Sequence, residues 1–228
     1  MVINNCADIV NAVGGIQPGA APHHLLNTGI KRGDEFDANQ YFTVLNHISM
    51  HEGYALDYVY MSESLDGSPL LYARPESQAP YASMQDVPEN TQLPDFHEYL
   101  EVEDAEQGYF EYVVLNTMAS QFYLDWHALY NDTEIVCNSD EVDSILADIS
   151  AGSFGNPLDI PGQVKARAMN NIEPVVQLTG DNAIVELILF TKWGGFYRQT
   201  YTISRSFPHK VIDTKSETIV PYDCGVMF

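Results

Sequence analysis

Between positions 184 and 190 every residue except Glu186 is apolar, which predicts a strand covered on both faces. Around it the composition turns to β-formers, and further strands are expected at 174–178, 183–193, 196–205 and 218–222. Gly194-Gly195 lies between the two longest of these. It predicts a two-residue hairpin turn with Trp193 opposite Phe196 and Phe190 opposite Gln199. A second alternating run covers 54–62, with Tyr54, Leu56, Tyr58 and Tyr60 on one side and Ala55, Asp57, Val59 and Met61 on the other. The turn-forming residues 65–69 and a short apolar run at 70–73 complete an antiparallel hairpin.

Helical spacing appears in three places. Over 37–52, Tyr41, Phe42, Leu45, Ile48 and Ser49 share a face, Asp37 is suited to the N-cap, and Gly53 stands where a terminating glycine belongs. Over 105–131, Leu115, Met118, Phe122, Trp126 and Leu129 form a stripe widened by Tyr112 and Tyr123, and Gly108 suggests a break near the start. Ser139 is expected to cap a third helix through Ile149, with Val142, Ile145, Leu146 and Ile149 inward. A short strand is expected at 134–137. Near the N-terminus, Ile9, Val10 and Val13 mark a short helix or strand, followed by a loop broken by Gly14, Gly15, Pro18, Gly19 and Pro22. Four prolines make 75–95 a long loop.

These elements predict an α+β fold: an antiparallel or mixed sheet, drawn from the C-terminal strands and the 54–73 hairpin, packed against a central helix. A Gly/Pro-rich junction at 151–162 separates a helix-rich part from a β-rich part. Neither part has both layers alone, so residues 1–228 are read as one domain.

Charge sharpens the picture. Residues 75–164 contain no lysine or arginine and 18 carboxylates; the residues before them hold 3 basic and 8 acidic groups, those after 7 and 6. The formal charge of −22 therefore divides into −5, −18 and +1. Such a segment repels a phosphate backbone or an anionic membrane and attracts a basic protein. No window is apolar for long enough to span a bilayer. The N-terminus lacks a basic region, and Asp8 and Asn11 interrupt it, so it reads as a poor secretory signal. Cys6, Cys137 and Cys224 are odd in number and far apart, which points to reduced thiols in the cytoplasm, with one long-range disulfide as the alternative.

Candidate chemistry is sparse. His47 and His51, four apart on the expected helix, could share a metal, with Asp57, His23 or His24 as a third ligand; as polar residues near a helix C-terminus they need no metal. No nucleophile elbow, phosphate-binding loop or EF-hand is present. The acidic block Glu98, Glu101, Glu103, Asp104, Glu106 and Glu111 suits either a helix N-terminus or a docking patch for a basic partner. Trp193, Phe196, Tyr197 and Arg198 place interface-type residues at one hairpin tip, unless the chain itself covers them. The function expected is therefore that of a non-catalytic acidic interaction protein, such as an inhibitor, an immunity-like factor or an assembly component. It would bind a basic protein surface through Glu98, Glu101, Glu103, Asp104 and Glu106 and the 193–198 tip, without a cofactor, nucleic acid or membrane. The alternative is a metal-assisted hydrolase using His47 and His51.

Overall fold

The computed structural model describes residues 1–63, 66–130, 132–152 and 155–226. The chain opens with helix α1 (Cys6–Ile16), which buries Cys6, Ile9 and Val13 at helical spacing and ends where Gln17 turns extended ahead of Pro18. Helix α2 (His23–Thr28) stops at Gly29, whose φ of 65° lets its amide return to the Leu25 carbonyl at 2.8 Å.

Asp37 caps as expected, accepting from the Asn39 amide, but it opens a 3-10 turn over Ala38–Thr43 and not a helix through Glu52. Thr43, Val44, Asn46, His47, Ile48 and Ser49 are all weak helix formers. Strand pairing wins: β1 (Ile48–Met50) pairs antiparallel with β4 (Leu100–Val102). Gly53, at φ 83°, belongs to the tight turn into the next strand.

That strand, β2 (Tyr54–Glu63), pairs residue by residue with β3 (Asp66–Pro75), so the expected hairpin forms and is longer than predicted. Of the expected turn at 65–69, residue 65 lies outside the described residues and Asp66 to Pro69 are already in β3. The hairpin does not join the C-terminal sheet. It forms its own three-stranded sheet with β5 (Asp125–Trp126).

Helix α3 (Glu106–Met118) is the central helix and is buried nearly all round, from Gly108 to Leu115 and again at Met118. Gly108 is not a break: a Cβ there would lie 2.3 Å from the Glu103 carbonyl oxygen, so close packing requires glycine. The helix ends at Met118, earlier than its apolar stripe. Phe122 is buried beyond the end, while Trp126 and Leu129 are exposed, which corrects the expected stripe. Tyr123 and Trp126 take φ of 54° and 51°, incompatible with a continuing helix. Tertiary bonds hold Tyr123 there: its carbonyl accepts from the Tyr60 hydroxyl at 2.8 Å, and its hydroxyl accepts from the Phe36 amide at 3.2 Å.

The main sheet comprises β6 (Thr133–Val136), β7 (Val175–Leu178), β8 (Asn182–Thr191), β9 (Gly195–Ser204) and β10 (Val211–Val220), all antiparallel, in the order β10-β9-β8-β6 with β7 also on β8. Alternation explains the apolar run in β8. Val185, Leu187 and Leu189 join the core shared with α1 and α3, whereas Ile188 and Phe190 join a second core. The second core is built by α4 (Ser139–Ser150) and α5 (Ile160–Arg167), with Val142, Ile145, Leu146 and Ile149 inward as predicted, although the cap of α4 is Asn138, accepting from the Asp140 and Glu141 amides, and not Ser139. Part of the expected 151–162 junction is thus helical, opened by the Asp159 cap.

The β8–β9 turn differs from expectation. Phe190 faces Phe196 and Leu187 faces Gln199, so Lys192-Trp193-Gly194 forms a three-residue loop. Gly195, the first residue of β9 and the partner of Thr191, takes the left-handed conformation just after the loop, at φ 80°. Lys192 is drawn inward to Asp132 at 2.6 Å and to the Leu129 carbonyl at 2.9 Å.

Cys6 and Cys137 form a disulfide across 131 residues, joining α1 to the chain just after β6. This corrects the expectation of three reduced thiols; Cys224 is the free one and is buried. No helix among the described residues is long and apolar enough to cross a membrane.

Candidate functional site

Three regions could carry function: the edge that holds His47, His51 and the acidic block, the β8–β9 tip, and two clefts against the 54–75 hairpin.

Because β1 replaces the predicted helix, His47 and His51 flank an extended segment, with Cα atoms about 13 Å apart. Each is taken by its own carboxylate. His47 Nδ1 lies 2.7 Å from Glu111, which also accepts the His47 amide at 2.8 Å, and His51 Nδ1 lies 2.5 Å from Glu101. The two imidazoles do not converge. Among the described residues, the group with metal-binding geometry is His24, Asp34 and Glu35, which includes neither of them. Of the third-ligand candidates only His24 belongs to that group. Glu35 there is largely committed to structure. It accepts from His24 at 2.6 Å and from the amides of Arg32 and Gly33 at 2.7 and 2.8 Å. Burial pushes its carboxyl up, but these hydrogen bonds outweigh burial and hold it at about 2.

The acidic block runs from the 3-10 turn Phe96–Tyr99 through β4 into the first turn of α3. Glu98 pairs with Lys210 and Asp104 with Arg205, both at 2.6 Å; Glu103 is 3.9 Å from His47. Arg205 holds the Asp104 carboxyl below its usual range. Glu106 sits in the first turn of α3, where the helix dipole favours it. Glu111 differs from the rest, being buried.

At the tip, Phe196 is fully buried against Phe190, with ring centroids 4.8 Å apart, so it is withdrawn from the set available to a partner. Arg198 reaches Glu186 at 3.2 Å and the carbonyl of Asn170 at 3.2 Å. Trp193 and Tyr197 are half-buried.

The larger cleft, about 720 Å³, lies between Leu70, Leu93, Phe96, His97 and Ser120. His97 Nδ1 is 2.7 Å from Asp95, and its Nε2 is buried with no hydrogen-bond partner among the described residues. Ser120 lines the cleft without bonding to His97, so no nucleophile–base pair is assembled. Cys224, in the second core, is equally without access to a substrate.

The other cleft, about 500 Å³, is more polar and was not legible from motifs. Lys31, Arg32, Asp57, Tyr58, Arg74 and Tyr81 line it. Asp57 faces Tyr72 across the β2–β3 ladder, which places Arg74 diagonally beside it. Asp57 bridges Lys31 and Arg74, each at 2.7 Å, and also accepts the Tyr58 amide at 2.7 Å. Lys31 arrives through its backbone bond to Ala82 at 2.8 Å and lies 4.4 Å from the centre of the Tyr58 ring. The Tyr58 hydroxyl is buried and has no hydrogen-bond partner among the described residues. Burial and the nearby carboxylates push its pKa well up, so it remains a neutral donor.

No family model matches this chain, and neither a curated protein nor a solved structure matches it significantly.

Proposed function

We propose that this protein is a non-catalytic acidic binding protein whose partner presents a basic protein surface. One observation carries the reading. Eight of the ten lysines and arginines (Lys31, Arg74, Arg167, Lys192, Arg198, Arg205, Lys210 and Lys215) lie within ion-pair distance of the chain's own carboxylates. Cationic charge is thereby engaged internally, and among the described residues these eight cations pair with seven carboxylates, a small part of the 32 in the sequence. Such a field steers a basic partner and repels nucleic acid and anionic membranes. The docking strip on this reading is Glu101, Glu103 and Glu106 with the adjoining Glu98 and Asp104; Trp193, Tyr197 and Arg198 at the tip remain secondary candidates.

The disulfide supports an oxidising compartment over the cytoplasm that the scattered cysteines suggested. The hydrolase alternative lacks support from geometry, since His47 and His51 are each paired separately. Stopped-flow association with a strongly basic probe protein tests the proposal. The on-rate is expected to fall steeply from low to physiological salt while the off-rate changes little. An on-rate independent of salt would contradict it.

A further inference from the structure

The first 164 residues contain three cationic side chains, Lys31, Arg32 and Arg74, and all three line the 500 Å³ cleft beside Tyr58. In a chain of charge −22, that convergence is unusual. The cleft's three cations face three carboxylates, Glu35, Asp37 and Asp57, so what it has to spare is hydrogen-bond donors and not net charge. Its carboxylates are engaged as acceptors. Asp57 takes Lys31, Arg74 and the Tyr58 amide; Glu35 takes His24 and two backbone amides; Asp37 takes the amide and side chain of Asn39. Its donors are in surplus. The Lys31 ammonium has three protons and one carboxylate partner, and Arg74 commits Nε and one terminal nitrogen to Asp57, Pro75 and Gln78. The buried Tyr58 hydroxyl adds a donor without an acceptor among the described residues. Phe36, Leu56 and Tyr81 supply an apolar and aromatic wall.

We propose that this cleft binds a small organic anion, with its carboxylate or phosphate group toward Lys31 and Arg74 and its apolar body against the aromatic wall. The volume suits a ligand of that class. Two cations converge on the single carboxylate of Asp57, so the field at that point favours an anion, although Glu35 and Asp37 balance the charge of the lining as a whole. The site is independent of the partner reading, because it lies on the hairpin and not on the β4–α3 strip.

Nitrogen-15 correlation spectra of the intact protein, titrated with benzoate, phenyl phosphate and benzylamine, test the proposal. Either anion should shift the amides of Lys31, Asp57, Tyr58 and Ala82 saturably, and benzylamine should not. A response to benzoate alone or to phenyl phosphate alone supports the site and decides which anionic group it takes. Tyr58→Phe, which keeps the ring, and Arg32→Gln, at an exposed side chain, should each weaken binding several-fold with melting temperature nearly unchanged. Benzylamine binding as well as the anions, shifts confined to other regions, or full affinity in both variants would overturn it.

Discussion

Cys6 on α1 is bonded to Cys137 at the end of β6, so one covalent link closes a loop spanning more than half the chain. It fastens the N-terminal helix to the main sheet on the α3 side, where both cysteines belong to the first core. Loop closure of this length stabilises mainly by restricting the unfolded chain. Replacing both cysteines by alanine is expected to lower stability by about 2–5 kcal/mol. Urea melts of the variant and of the reduced wild type should agree with each other. A midpoint unchanged by either treatment would show that the bond contributes nothing.

Phe122 packs its ring against Phe36, Tyr58 and Tyr123, with centroids 4.8, 4.9 and 5.5 Å away. Phe122→Ala should therefore cost about 3–5 kcal/mol. Trp126, four residues on, is 59% exposed, and Trp126→Ala should stay within about 0.5 kcal/mol. Chemical denaturation of the pair checks the boundary of α3 directly, because the periodic stripe predicts similar costs for both.

Glu35 has its carboxyl depressed from 4.5 to about 2 in the folded state. A depressed acid stabilises the fold above its unfolded value and loses that contribution as pH falls through the folded one. Stability should thus decline between about pH 4.5 and 2 through this group, and Glu35→Gln should flatten that part of the profile while lowering stability at neutral pH. Equal slopes in both proteins would contradict the assignment.

Elements whose signals are local were legible in the sequence. The inward face of α4 at Val142, Ile145, Leu146 and Ile149 and the β2–β3 hairpin come from periodicity, and the interior strand β8 from a nearly unbroken apolar run. Misreadings arose where distant residues decide. Ile48 to Met50 becomes a strand because residues 100–102 pair with it, and the helical stripe does not run on past Met118 as a helix, Tyr123 being left-handed and bonded to Tyr60 and Phe36. The three-residue β8–β9 loop contains Lys192, whose partner Asp132 lies 60 residues away in sequence. The acidic block was visible as composition, but not its pairing with Arg205 and Lys210. The Lys31–Arg74 cleft had one sequence signal, the scarcity of cations before residue 165; only strand pairing and the return of the chain at Ala82 bring them together.

On the proposed function, the β4–α3 edge, and not diffuse charge alone, docks a basic partner. The most direct measurement compares on-rates for a strongly basic probe protein at low salt across three proteins: wild type, Glu101→Gln/Glu103→Gln/Glu106→Gln, and a control, Glu173→Gln/Asp181→Asn/Glu217→Gln, which removes the same charge from exposed positions elsewhere. A docking edge predicts a markedly larger loss of on-rate for the first variant than for the control, with melting temperatures close to wild type. Equal losses in the two variants, or a stability drop in the first with its on-rate unchanged, would contradict it.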